Sequence, residues 1–588
     1  MSLEEKSRKR ILSEKKLTRR QALSTAGKIA ISAVVAGVVA GVGGYLAGSA
    51  AAPGKEVTVT ETKTVTSTVG APGKTVTTTV TAGEVTKTVT ETVTKTVTAG
   101  APPTEIKPEL SITFASPEWL PGRLTGVIAE KFPEWSARKL GKAVEVKMDL
   151  IPWGAIHDRI TTTLAAKSKE PTLLISDSQW LGELFVGGHI LRMNPLIEKD
   201  PELQQLINRF DESLVNYYMT YPQGNRDNIV GFAHEGDVIT LVIRKDILMH
   251  PGERENFKAK YGYDLPTDKY EDWFPTQIDW TQIRDMAEFF TRKAGDEIAG
   301  QTLDEDFYGI ATHMSKEYDA IACVFGTILY CWGEYWWDPV TGEVEGIINS
   351  ERAVKALEFY KSLIPYSPPN YLEIWFDQAN AVMQAGRVFM ITNWCGFQPS
   401  LYDPTASKVY DKIFAVPLPG HVSEDDGKFR RYANIGGQPM CINAHSDYPD
   451  IALAFIKFWF EPESQRTWAE GGGGVCVKDV INTDWFKKLT PYNRAYADSI
   501  PFQLDFWNVP IYAELLQALQ EEIHTSLAGQ QDPKTALDRL AKRHAETIEA
   551  DCYPESYPPE FRFPADKKSP LDVVRAGEPA SEVGKPKK

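Results

Sequence analysis

Three short stretches of this chain set tryptophan among polar side chains: Ser116-Pro-Glu-Trp119, Ile151-Pro-Trp153 and Asp177-Ser178-Gln179-Trp180. Indole faces stack on flat apolar surfaces, while carboxylates and amides take up hydroxyl and amine donors. The chemistry this points to is non-covalent capture. Bond-breaking patterns do not occur: beyond residue 109 there is no HExxH, GxSxG, Walker or GxGxxG spacing, and His234-Glu235 lacks the second histidine a zinc protease needs. The six cysteines form no CxxC pair, so neither a zinc nor a redox site is expected. His234 and His313 read as structural. We expect no catalytic residue, metal ligand or cofactor.

The elements that must carry these loops alternate in type. Leu110–Phe114 reads as a strand, Leu124–Phe132 as a helix and Val144–Ile151 as a strand. Ile156–Ala166 reads as a helix, Thr172–Ile175 as a buried strand and Gln179–Gly187 as a helix. Such alternation predicts parallel sheets built from β-α-β units, in which ligands sit at the carboxyl ends of strands. All three tryptophan loops lie at such ends.

Six further pieces, in order, carry a resemblance. They are Pro171-Thr-Leu-Leu-Ile-Ser-Asp177 with Gly187-Gly-His-Ile-Leu-Arg-Met-Asn-Pro-Leu196; Val230-Gly-Phe-Ala-His-Glu-Gly-Asp237 with Ile243-Arg-Lys-Asp246; and Ala379 to Trp394. Gly436-Gly437 to Ile442, Tyr448 to Phe455 with Gln465 and Gly471–Gly474, and Leu515 to Leu540 complete the set. From about Leu110 to Glu549 the chain resembles the family 1 extracellular solute-binding proteins of ABC transporters, which include maltose- and maltodextrin-binding proteins. Ala233 stands where that family usually has proline, and Gly252–Trp280 and Gly474–Trp507 lengthen the body.

The resemblance implies an α/β fold of two lobes joined by a hinge, with a small-molecule solute in the cleft and ABC permease subunits as membrane partners. It implies lobe 1 from 109–236 and 395–438, lobe 2 from 237–394 and 439–565, and no enzymatic activity. Sugar rings present apolar C–H faces to indoles and hydroxyls to carboxylates and amides, so a carbohydrate, most simply an oligosaccharide, is the expected ligand. The expected contacts are Trp119, Trp153, Asp177, Ser178, Gln179, Trp180, Glu235, Asp237, Trp336, Trp394, Gly437, Trp507 and Tyr512. Because crossing strands lie side by side in this fold, the resemblance also brings Cys395 and Cys441 within reach of a disulfide.

Charge separates the head from the body. The chain has a net charge of −15, yet residues 1–28 hold nine Lys/Arg against three Asp/Glu. An acidic body excludes nucleic acid as the natural partner. Arg19-Arg20 precedes an uncharged run, Ile29 to Ala52, long enough as a helix to span a bilayer. The pair resembles a twin-arginine export signal, leaving the body exported to the cell surface or beyond. The apolar run is then either cleaved near Ser49-Ala50-Ala51 or kept as a membrane anchor. Residues 53–108 are a Thr/Val-rich stretch with no aromatic residue, expected to form an extended stalk. The polar tail, 566–588, reads as disordered.

Three alternatives stay open on the residues alone. One is a secreted glycan-acting enzyme; a sequence does not show carboxylate spacing. Another is the same fold holding a peptide, polyamine or polyol phosphate. The last is a structural surface protein whose main feature is the stalk.

Overall fold

The computed structural model describes residues 107–587. The basic head (1–28), the apolar segment (29–52) and all but the last two residues of the Thr/Val stretch lie outside the described residues. Among the described residues, no helix is long and apolar enough to cross a membrane.

The first stretch of chain forms β1 (Leu110–Pro117), α1 (Leu120–Ala129), β2 (Val144–Ile151), α2 (Trp153–Ala165), β3 (Leu173–Ile175) and β4 (Phe232–Glu235). The middle forms β5 (Ile239–Arg244), β6 (Tyr308–Ala311), α3 (Ala320–Cys331), α4 (Phe376–Gln384), β7 (Val388–Trp394) and β8 (Ile413–Pro417). The last third adds β9 (Gln438–Ile442), α5 (Pro449–Trp459), α6 (Tyr512–Leu527), α7 (Pro533–Asp551) and α8 (Pro570–Ala576).

Two sheets result, one per lobe. The first has the order β2-β1-β3-β9-β4, with β1 parallel to β2 and β3, and β9 antiparallel to β3 and β4. The second has the order β8-β5-β7-β6, where β5 runs antiparallel to both neighbours and β6 runs parallel to β7. β5, Ile-Thr-Leu-Val-Ile-Arg, is buried at every position, as a central strand covered on both faces must be. α5 starts on Pro449, preset for a first helical turn, and seats Phe455 on Phe132 of the first lobe at 5.2 Å. α3 is buried all round, which suits its apolar run and makes it the core helix of the second lobe. α6 packs against it.

The chain crosses between the sheets at residues 236–238 and 435–437. Val238 and Ile435 pair as an isolated antiparallel bridge, and the Gly436 N–H donates to the Asp237 carbonyl at 3.2 Å. A third segment joins the crossing through Gly474, whose carbonyl accepts the Gly236 N–H at 2.9 Å.

Four expectations are corrected here. The segment 395–438 belongs mostly to lobe 2, because the chain after β7 turns back to lay β8 beside β5 and crosses only at Ile435–Gly437. The segment 439–565 is divided: β9 and α5 join lobe 1, whereas α6 packs on the second lobe. Cys395 and Cys441 are both free and buried, since one follows β7 of the second sheet and the other sits within β9 of the first. The Cys395 thiol lies beside the Thr240 hydroxyl instead, at 3.7 Å. The tail is folded: a Ser569/Asp572 capping box starts α8, which buries Leu571, Val573 and Val574. Arg430 Nε donates to the Val574 carbonyl at 2.8 Å, and Asn216 Nδ2 donates to the Val583 carbonyl at 3.1 Å.

Candidate functional site

At the carboxyl ends of the first-lobe strands, short turns hold the polar and aromatic groups rigidly. β3 is a buried Leu-Leu-Ile run, and its chain leaves through Asp177 into a tight turn, Ser178–Trp180. Trp119 directly precedes α1, and Trp153 opens α2. Their rings meet edge to face, 5.4 Å apart.

The second lobe faces them with aromatic groups from helix starts and loops. Phe376 stacks flat on Phe397 at 4.0 Å; Trp375 lies against Phe376, and Phe397 reaches Trp119 at 5.7 Å. Trp394 ends β7 and lies over the hinge. A Cβ on Gly436 would come within 2.3 Å of the Trp394 ring, so only glycine admits the indole there. Together these residues, with Ile435, Gln438 and Phe506, enclose a pocket between the lobes.

Tyr318 joins the two walls. It precedes α3 in the second lobe, and its hydroxyl donates to Asp177 Oδ2 at 3.1 Å. The Tyr318 hydroxyl oxygen in turn accepts from Gln179 Nε2 at 3.0 Å and Trp180 Nε1 at 3.1 Å. Its backbone is left-handed, with φ of 43°, a strained setting for a bulky residue.

Four carboxyl groups line the pocket: Asp177, Asp237, Asp319 and Asp505. Asp237 is the hinge acid, and its Oδ1 accepts the N–H groups of Val238 (2.8 Å) and Gly396 (3.0 Å). Burial pushes Asp177 up to about 6 and Asp237 and Asp505 up to about 7. Burial, then the charge of Asp177, does the same to Asp319, also to about 7. Among the described residues no group of His, Cys, Asp and Glu is arranged to hold a metal ion.

Of the residues expected to meet ligand, the pocket gathers Trp119, Trp153, Asp177, Ser178, Gln179, Asp237 and Trp394. The others lie elsewhere. Trp336 is fully buried between Tyr330 and Trp507, and Trp507 is itself a core side chain set edge-on to His544. Glu235 lies behind the wall, its Oε2 accepting the Gly474 N–H at 3.0 Å; burial raises its carboxyl well above the usual range. Gly437 serves the hinge through its N–H bond to the Tyr218 hydroxyl at 2.7 Å. Trp180 and Tyr512 line an adjoining groove with His157.

Sequence reasoning passed over Tyr318 and Asp319, which directly precede the apolar helix α3. It also passed over Trp375, Phe376 and Phe397. Asp505 had a usable signal, since it stands two residues before Trp507, one of the expected contacts.

The family model of the bacterial extracellular solute-binding proteins matches residues 129–492, more than half of the chain. The protein therefore belongs to the bacterial extracellular solute-binding proteins. Among solved structures it is similar to maltose-bound MalE3 of T. maritima, with 21% identity and a TM-score of 0.56 over 74% of this chain and 99% of that one. It is also similar to an ABC transporter solute-binding protein of Agrobacterium radiobacter K84 in complex with ribitol (19% identity, TM-score 0.57, covering 75% and 100%). The sugar-binding protein MalE of Xanthomonas citri is a third (16% identity, TM-score 0.56, covering 76% and 100%). At these identities the likeness is one of fold.

Proposed function

We propose that this protein is the substrate-binding component of an ABC importer, and that it captures a carbohydrate between its lobes and delivers it to a membrane permease. The observation that carries this reading is the pocket itself. Indoles from both lobes, Trp119, Trp153 and Trp394, offer flat faces beside the acceptors Asp177, Gln179, Gln438 and Asp237. A ligand touching both walls binds the closed arrangement better than the open one and shifts the population towards it. Capture and release need no covalent step, so we assign no enzymatic activity. The likeness to proteins solved with maltose, ribitol, acarbose and D-mannitol supports sugars and polyols as the ligand class.

The basic head, the apolar run 29–52 and the Thr/Val stretch fit export through a twin-arginine signal, followed by tethering of the body outside the cell or release after cleavage. The test of the ligand class is a thermal-shift screen of the purified protein against mono- and oligosaccharides, peptides, polyamines and polyol phosphates. A response confined to saccharides or polyols supports the reading. A response to peptides alone, or release of reducing ends from a bound glycan, overturns it.

A further inference from the structure

The pocket's acids have no basic partner. Its lining holds four aspartates and, among the described residues, no lysine, arginine or histidine. Two acceptors in it are buried and unpartnered. Asp505 is 2% exposed; its Oδ1 accepts the Phe506 N–H at 2.8 Å, and its Oδ2 meets no donor. Gln179 is equally buried; its Nε2 donates to Asp177 and Tyr318, and its Oε1 is left without a donor. Asp319 adds a further carboxyl to the same lining, within reach of the Cys323 thiol and the Gln179 amide. It stands at the start of α3, where an aspartate side chain ordinarily takes an N–H of the first turn, yet it caps nothing. Gln520 takes the Ala322 N–H instead, at 3.1 Å.

Buried acceptors without donors cost free energy, and buried carboxylates without a cation cost more. Hydroxyls supply donors but no charge. A protonated amine supplies three donors and the missing charge together. We propose that the solute carries a protonated amine, seated among Asp505, Asp319 and the Gln179 amide oxygen while its ring lies against the indoles: an aminated carbohydrate. The identity of the ring rests on the carbohydrate reading above, whereas the amine site rests on the acids alone. The raised carboxyls of Asp319 and Asp505 agree with it, because each is held towards its neutral form until a cation arrives.

Titration calorimetry at pH 7.5 with matched probes tests this: glucosamine against glucose, and a glucosamine trisaccharide against cellotriose, with spermidine beside them. The expected result is at least tenfold tighter binding of the aminated member of each pair, with the preference falling several-fold in Asp505→Asn. Asp319→Asn, at a half-buried position, keeps the test decisive if Asp505→Asn fails to fold. Neutral sugars binding as tightly as their aminated partners would overturn the amine site and leave the carbohydrate reading intact. Spermidine binding that Asp505→Asn abolishes, with no saccharide response, would retain the amine site and overturn the carbohydrate. Silence from every probe overturns both.

Discussion

The two walls of the pocket are built on different plans. On the first lobe, Trp119, Trp153 and Asp177 each stand within two residues of the end of a parallel strand, so the sheet fixes them directly. On the second lobe the sheet is largely antiparallel and only Trp394 ends a strand; Tyr318, Trp375 and Phe397 stand on loops, helix starts and a short turn. One wall is rigid by construction. The other is held by ring-on-ring packing and by one strained tyrosine that reaches across to Asp177. A two-lobed binder that works by closure has use for such a division, since the wall that adapts is also the wall that latches.

The strongest way to break this comparison lies behind the second wall. Trp507 supports it from the core, so Trp507→Ala should cost about 3–5 kcal/mol of stability, read in denaturant unfolding. A loss of binding with unchanged stability would instead put Trp507 on the pocket.

The acids give the next largest effect. Asp505 has a folded-state pKa raised to about 7, so the folded protein holds its proton while the unfolded chain has lost it. Its contribution is complete below the unfolded value near 4 and is lost as pH rises through about 7. Asp505→Asn removes that loss. The ligand-free variant should gain on the wild type by about 2–4 kcal/mol between pH 4 and pH 8, read as a difference of unfolding free energies. A pH-independent difference would place the carboxyl in water.

Gly436→Ala sharpens the comparison at the hinge. The added methyl would meet the Trp394 ring at 2.3 Å and push it from the pocket, costing about 1–3 kcal/mol and more in affinity than in folding. The smallest effect belongs to the latch. Tyr318→Phe removes one donor and two accepted bonds between the lobes, worth about 1 kcal/mol in all for a partly exposed group. Scattering profiles should then show a larger radius of gyration for the ligand-free variant, and an unchanged radius would remove Tyr318 from the latch.

Much of the first wall was legible in the chain. β2 runs over Val144–Ile151, the bounds expected of it, and the strand-end rule selected Trp119, Trp153 and Asp177. The second wall was not legible, because antiparallel pairing is set by contacts far apart in sequence. β8 lies beside β5 at a separation of about 170 residues, and nothing local distinguishes it from a lobe 1 strand. Tyr318-Asp319 carries no local mark of a ligand site: it starts a helix, while Gln520, about two hundred residues away, takes up the Ala322 N–H. Trp336 and Trp507 sit beside turns as pocket tryptophans do, and only packing against Tyr330 and His544 shows them to be core. In the tail, Leu571, Val573, Val574, Ala580 and Val583 are enough among many charges to dock it, and Arg430 and Asn216 take up its carbonyls.

The central claim is that the space between Trp119, Trp153 and Trp394 is where solute is taken up. The most direct measurement is the thermal shift given by a panel of mono- and oligosaccharides, aminated and neutral, on the wild type and on Trp394→Ala side by side. A ligand at 100 times its dissociation constant adds about 2.7 kcal/mol of stability. The account predicts a shift in the wild type that disappears in a folded Trp394→Ala. An equal shift in both proteins would contradict it and move the binding site elsewhere on the molecule.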